Sequence, residues 1–65
     1  METKYELLHD YYAQYYGQVW DAGTIIELDL NATGYTNRLY PIHTRTIIDK
    51  VFVESHPKLF KVQSN

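Results

Sequence analysis

Five of the chain's seven tyrosines fall between Tyr5 and Tyr16, four of them as the adjacent pairs Tyr11–Tyr12 and Tyr15–Tyr16, with Trp20 close behind. Adjacent side chains point to opposite faces of a strand, or about 100° apart on a helix, so these rings cannot all enter one core. A tyrosine or tryptophan offers a large, rigid apolar surface with a polar tip, which is the chemistry of an interface anchor. The pattern therefore points to binding. Its candidate contact residues are Tyr11, Tyr12, Tyr15, Tyr16 and Trp20, flanked by the acids Asp10 and Asp21. Trp20 is equally suited to plug a small core, and Tyr5 and Tyr40 read as core residues of alternating strands. One ring of each adjacent pair must face outward.

Groups able to do covalent or acid–base chemistry are sparse. Ser55 and Ser64 sit in a turn and at the terminus, while His9-Asp10 and Ser55-His56 are dipeptides whose side chains diverge in most conformations. Gly17, Gly23 and Gly34 are isolated and build no phosphate loop. There is no cysteine, which excludes disulfides and thiolate zinc sites, and His9, His43 and His56 are too scattered to mark a metal site. The expectation is a binding protein, not an enzyme, without metal or cofactor.

Charge divides the chain. Residues 1–30 carry Glu2, Glu6, Asp10, Asp21, Glu27 and Asp29 against Lys4 alone, whereas residues 31–65 carry five Lys and Arg against Asp49 and Glu54. An acidic aromatic surface repels phosphate backbones, so nucleic acid is a poor partner for the tyrosines and a basic protein surface a better one. Two halves that pair within one fold would show the same asymmetry. Arg38, Arg45, Lys58 and Lys61 read first as a solvated face and only then as a nucleic-acid contact. A chain of 65 residues is one domain with a thin stability margin, for which self-association, as a homodimer, or a partner is the natural support. No apolar run approaches membrane-spanning length and residues 1–10 hold no apolar signal core, so a cytoplasmic protein without a membrane partner is expected. Asn31-Ala32-Thr33 matches a glycosylation sequon but reads more simply as a turn.

Strands must carry most of these residues. Tyr5, Leu8, Tyr12, Tyr15 and Val19 form a helical stripe, yet Tyr5, Leu7, His9 and Tyr11 alternate as a strand does, and periodicity alone leaves both open. Ala22-Gly23 is a turn. Thr24–Leu30 predicts a strand with Ile26, Leu28 and Leu30 inward and Glu27 and Asp29 outward. Residues 31–34 predict a turn with Gly34 at positive φ, and Tyr35–Ile42 a second strand with Pro41 at its edge. Residues 44–53 fit either a short helix entering a strand or a strand throughout. Ser55 through Phe60 predict one capped turn, with Ser55 as N-cap and Leu59 and Phe60 closing over the core.

Leu7-Leu8-His9-Asp10-Tyr11-Tyr12-Ala13-Gln14 resembles the opening motif of SH3 domains, where an apolar strand runs into Asp-Tyr and a long acidic loop. Val19 through Leu28 is similar to the family's next segment, and Gly34 through Ile47, with Leu39-Tyr40-Pro41, to its late Phe-Pro segment. The resemblance covers roughly residues 7–47. It implies a mainly β fold, a small SH3-like antiparallel barrel, with one short helical turn near the C-terminus, and it favours strand plus loop for the N-terminal segment. Tyr11 and Pro41 match the family's peptide-gripping set, but His9 and Thr44 stand where tyrosines would. The span from Leu30 to Gly34 is too short for the tryptophan-bearing hairpin. The proline-peptide ligand is therefore not implied. Phe52–Val62 resembles the endings of small bacteriophage proteins. The function expected is that of a phage accessory protein that blocks a host enzyme or defence complex by steric occlusion, acting in the host cytoplasm. A virion or assembly component that self-associates through its tyrosines is the alternative, and a nucleic-acid binder using the basic half the third reading.

Overall fold

A computed structural model describes residues 3–63, which form seven short strands, one α-helix and two 3-10 turns. The strands are β1 (Lys4–Leu7), β2 (Tyr11–Tyr12), β3 (Val19–Trp20), β4 (Ile25–Leu28), β5 (Gly34–Thr36), β6 (Ile48–Asp49) and β7 (Phe60–Gln63). The helix, α1, spans Lys50–Glu54 and runs straight on from β6. Five strands make one antiparallel sheet in the order β6-β5-β4-β1-β7, and β2 pairs with β3 as a separate hairpin. The chain is thus mainly β, with its short helix near the C-terminus. Its main sheet has two open edges, β6 and β7, with no pairing between them among the described residues.

Alternation builds β1. Lys4 and Glu6 lie opposite Glu27 and Lys61 on the outer face, while Tyr5 and Leu7 turn inward against Ile26, Val62 and Phe60. Leu7, Trp20, Ile26, Tyr35, Val53 and Phe60 are the bulk of the core, with Ala13 and Ile48 buried beside them. Tyr5 packs edge-on against Tyr35, ring centroids 4.9 Å apart, the offset geometry aromatic quadrupoles prefer. The strand reading of the N-terminal segment therefore holds over residues 4–7. The helical stripe does not form.

The strand predicted over Thr24–Leu30 departs from its pattern where a polar group finds better partners. β4 ends at Leu28, and the alternation that would put Leu30 inside reverses: Leu30 is exposed and Asp29 buried. The Asp29 carboxylate accepts from the Thr33 amide (2.7 Å), the Thr33 hydroxyl (2.8 Å) and the Gly34 amide (3.2 Å), which closes the loop. The positive φ of this loop falls on Ala32, at 56°, and not on Gly34. Gly34 is required for a different reason. A Cβ there would overlap the Ile48 carbonyl oxygen and lie 2.6 Å from Ile47 Cγ2, so its lack of a side chain lets β5 approach β6.

The strand predicted over Tyr35–Ile42 is only three residues long, Gly34–Thr36, and Leu39-Tyr40-Pro41 lies in the loop beyond it. Residues 44–53 hold both kinds of structure, with the strand first and the helix after it. Asp49, not Ser55, is the N-cap, its carboxylate accepting from the amides of Val51 (3.0 Å) and Phe52 (3.3 Å). Ser55 ends the helix, and Phe60 closes over the core as the pattern predicts, while Leu59 stays half outside.

Candidate binding site

The tyrosine pairs are carried by the β2–β3 hairpin. Tyr11 lies opposite Trp20 and Tyr12 opposite Val19, and the Ala13 amide donates to the Gln18 carbonyl at 2.7 Å. The tip is a 3-10 turn over Tyr15–Gly17. Both Tyr16 (φ 55°) and Gly17 (φ 65°) are left-handed there. That conformation is routine for glycine and unfavourable for a tyrosine.

Three rings meet solvent at this tip: Tyr12 is 63% exposed, Tyr15 44% and Tyr16 71%. Tyr15 and Tyr16 pack on each other with centroids 4.5 Å apart. The Tyr16 phenol beside it, with some loss of solvent, holds the Tyr15 pKa above the ordinary tyrosine value. The backbone does not float. The Tyr15 amide donates to Thr46 Oγ1 (3.1 Å), the Tyr15 hydroxyl to the His43 carbonyl (2.7 Å) and Gln18 Nε2 to the Thr44 carbonyl (2.6 Å).

The segment that receives these bonds is itself braced. Arg45 Nε donates to the Tyr40 carbonyl (2.6 Å) and Nη2 to the Arg38 carbonyl (3.1 Å), folding residues 37–45 into a compact loop. Asn37 Oδ1 accepts from the Leu39 amide (2.9 Å), and the Thr44 hydroxyl donates to the Pro41 carbonyl (3.0 Å). With its backbone so occupied, the loop leaves Leu39 91% and Ile42 63% exposed. Two tied loops thus present tyrosines and aliphatic side chains to solvent. The sequence reading missed Leu39, Ile42 and Ile47 because it placed Leu39 and Ile42 in a strand. The signal was the turn-forming Asn37 and Pro41 around an apolar run.

The remaining candidates divide. Trp20 is 1% exposed and belongs to the core, so it is not a surface anchor; its indole N–H is buried without a partner among the described residues. Tyr11 is half-buried against it, ring centroids 6.0 Å apart. Asp10 and Asp21 are exposed, but continuing the Tyr11–Trp20 register sets them opposite each other at the open end of the hairpin, away from the tip. Asp10 accepts there from the Ala22 amide at 2.8 Å. The acids do not flank Tyr15 and Tyr16. Arg45 and His43 are the titratable neighbours the hydrogen bonds bring to that end.

Ser55 and His56 do meet, contrary to the divergence expected of the dipeptide: Ser55 Oγ lies 3.2 Å from His56 Nδ1. The same Nδ1 is 2.7 Å from the Phe52 carbonyl, and the imidazole stacks on the Phe52 ring at 4.1 Å. A nitrogen donating to a carbonyl cannot take a proton from the serine, so the pair caps α1. No cluster of three or more His, Asp or Glu is placed to hold a metal ion among the described residues, nor is any of their helices long and apolar enough to cross a membrane. Comparison with protein-family models, with curated proteins and with solved structures finds no significant match.

Proposed function

We propose that this domain is a non-enzymatic binding protein that acts by covering a surface of another protein, with the hairpin tip and the neighbouring 37–46 loop as its contact face. The observation that carries this reading is Tyr16. Its ring is 71% exposed on a left-handed residue, and a residue kept in an unfavourable conformation without burying its side chain is explained by an interaction outside the chain. The three bonds from Tyr15 and Gln18 to residues 43–46 support it further, because a pre-ordered aromatic patch gives up little conformational entropy on docking. The setting of a phage accessory inhibitor acting on a host protein rests on the sequence resemblance and belongs to this proposal.

A photo-crosslinking amino acid placed in turn at Tyr16, Lys58 and Lys61 tests the reading in host lysate, with the same probe at Glu6 on the outer sheet face as reference. One protein species captured from Tyr16 and not from Glu6 supports it. Capture only from Lys58 or Lys61, or of nucleic acid, overturns it. The open edge of β7, with Val62 55% exposed, favours self-association as the second reading, which sedimentation across a hundredfold dilution distinguishes.

A further inference from the structure

Beside the hairpin tip lies a shallow open depression lined by Gln14, Tyr15, Arg45, Thr46 and Ile47. Its chemistry is uneven. Tyr15 and Ile47 contribute exposed apolar surface, Gln14 and Thr46 polar rim, and Arg45 the lone formal charge of the lining among the described residues. The guanidinium is half-buried and fixed by two backbone carbonyls, which orient it without neutralising it. Among the described residues no carboxylate pairs with Arg45, and its Nη1 group has no partner. Asp10 and Asp21, the nearest acids along the hairpin's own sequence, sit at its other end. A pre-oriented, half-desolvated cation next to apolar surface binds an anion more strongly than a solvated lysine does, because the partner displaces little further water.

We propose that this depression docks a peptide segment in which an Asp or Glu lies next to a large apolar side chain. The carboxylate meets Arg45 Nη1, and the apolar side chain lies between Tyr15 and Ile47. The inference rests on the binding reading above and names the partner's chemistry. It reverses the expectation of a basic partner, which followed from the acids' closeness to the tyrosines in sequence. A nucleic-acid strand fits poorly, since its affinity comes from several cations along a track and this lining has one. The arginine's fork is already spent on carbonyls, so a single carboxylate contact suits it better than bidentate phosphate capture.

The test is selection of a random twelve-residue peptide library on the immobilised full chain, followed by NMR of the 15N-labelled chain with the recovered peptides made synthetically. Gln14 is exposed and its side chain takes no part in the bracing bonds, so Gln14→Glu and Gln14→Lys alter the charge at the groove mouth while the loops stay tied. Recovered peptides should carry Asp or Glu within two positions of Leu, Ile or Phe and shift the amides of residues 14–16 and 45–47. Gln14→Glu should weaken them by roughly three- to tenfold and Gln14→Lys strengthen them comparably, as expected of charges at an interface rim. Replacing the peptide's acid by its amide should cost about tenfold or more, the scale of a charge-assisted hydrogen bond. Peptides that bind at the tip but are basic or uncharged, and are indifferent to the Gln14 variants, overturn this inference and leave the binding reading standing. Failure to recover any peptide that shifts residues 12–16 or 42–47, or a single-stranded oligonucleotide that shifts them instead, overturns both.

Discussion

The Tyr15 hydroxyl donates to the backbone carbonyl of His43 at 2.7 Å, spanning 28 positions of sequence to tie one exposed loop to another. Both loops lie outside the main sheet, so this bond, with its two companions from Tyr15 and Gln18, decides whether the tip is an ordered surface or a loose hairpin end. Tyr15→Phe keeps the ring and removes the tie. The fold should survive, while amide hydrogen exchange at residues 14–18 and 43–46 accelerates and exchange in β1 and β4 does not change. Uniform acceleration throughout the sheet would show that the tie stabilises the whole domain.

Tyr16 should separate stability from binding. Asparagine tolerates the left-handed region far better than tyrosine, so Tyr16→Asn should leave stability unchanged or raise it by up to about 1 kcal/mol. Affinity for the partner should drop in the same variant. Urea unfolding of the two proteins measures the first effect, and a loss of stability would mean that the ring packs on Tyr15 for the sake of the fold.

In the loop after β4, the glycine and the left-handed residue occupy different positions, and opposite substitutions reveal it. Gly34→Ala should cost about 3 kcal/mol or prevent folding, because the new methyl meets the backbone of β6, which has little room to yield. Ala32→Gly should stabilise by up to about 1 kcal/mol, since φ is 56° there. Thermal melts of both variants are sufficient. A tolerated Gly34→Ala would contradict the close approach of β5 and β6.

Asp29 should set part of the acid limb of stability. Burial alone would raise its pKa, but the Thr33 hydroxyl and the Gly34 and Thr33 amides outweigh burial and hold it below the ordinary value. A carboxyl whose folded pKa is depressed contributes stability that is complete above the unfolded value, about 3.9, and is lost as pH falls through the folded one. Asp29→Asn should therefore be less stable at neutral pH and lose less on acidification, as read from urea midpoints at about pH 6 and about pH 2.5. Tyr35 acts at the other end of the scale. Burial, then its hydrogen bond to Glu54, raises its phenol well above the usual value, so its share of stability is complete below about pH 10 and fades only in stronger alkali. Absorbance at high pH should show this tyrosine ionising last.

The mainly β architecture was legible wherever burial and alternation agree, as at Ile26 and Leu28 against Glu27. It misled at Asp29 and Leu30, where hydrophobic pattern favours a longer strand and the three donors gathered around one carboxylate stop it. That at least one ring of each adjacent pair is exposed followed from adjacency, because one backbone cannot bury neighbouring rings on one face; the exposure of both Tyr15 and Tyr16 did not, and comes from their place on the hairpin tip. Their charged surroundings could not be read that way. Asp10 is five positions from Tyr15 in sequence and at the open end of its hairpin, away from the tip, whereas Arg45 is thirty positions from Tyr15 and lines the same depression. Hydrogen bonds from side chains to distant carbonyls make that junction, and no local pattern encodes them.

The pairing of β1 with β7 bears on how the chain reaches this state. β1 lies inside the sheet, between β4 and β7, and Gln63 Nε2 reaches Glu6 at 2.7 Å across 57 positions. Until Phe60 and its strand arrive, the inner neighbour of Leu7 is missing and one side of β1 has unpaired amides. The ordering cost of so long a closure is met before its contacts form, so partial chains gain little and folding approaches all or none. Removing residues 60–63 should therefore not give a slightly weaker domain. It should leave an unfolded chain whose β1 segment is free to pair with copies of itself.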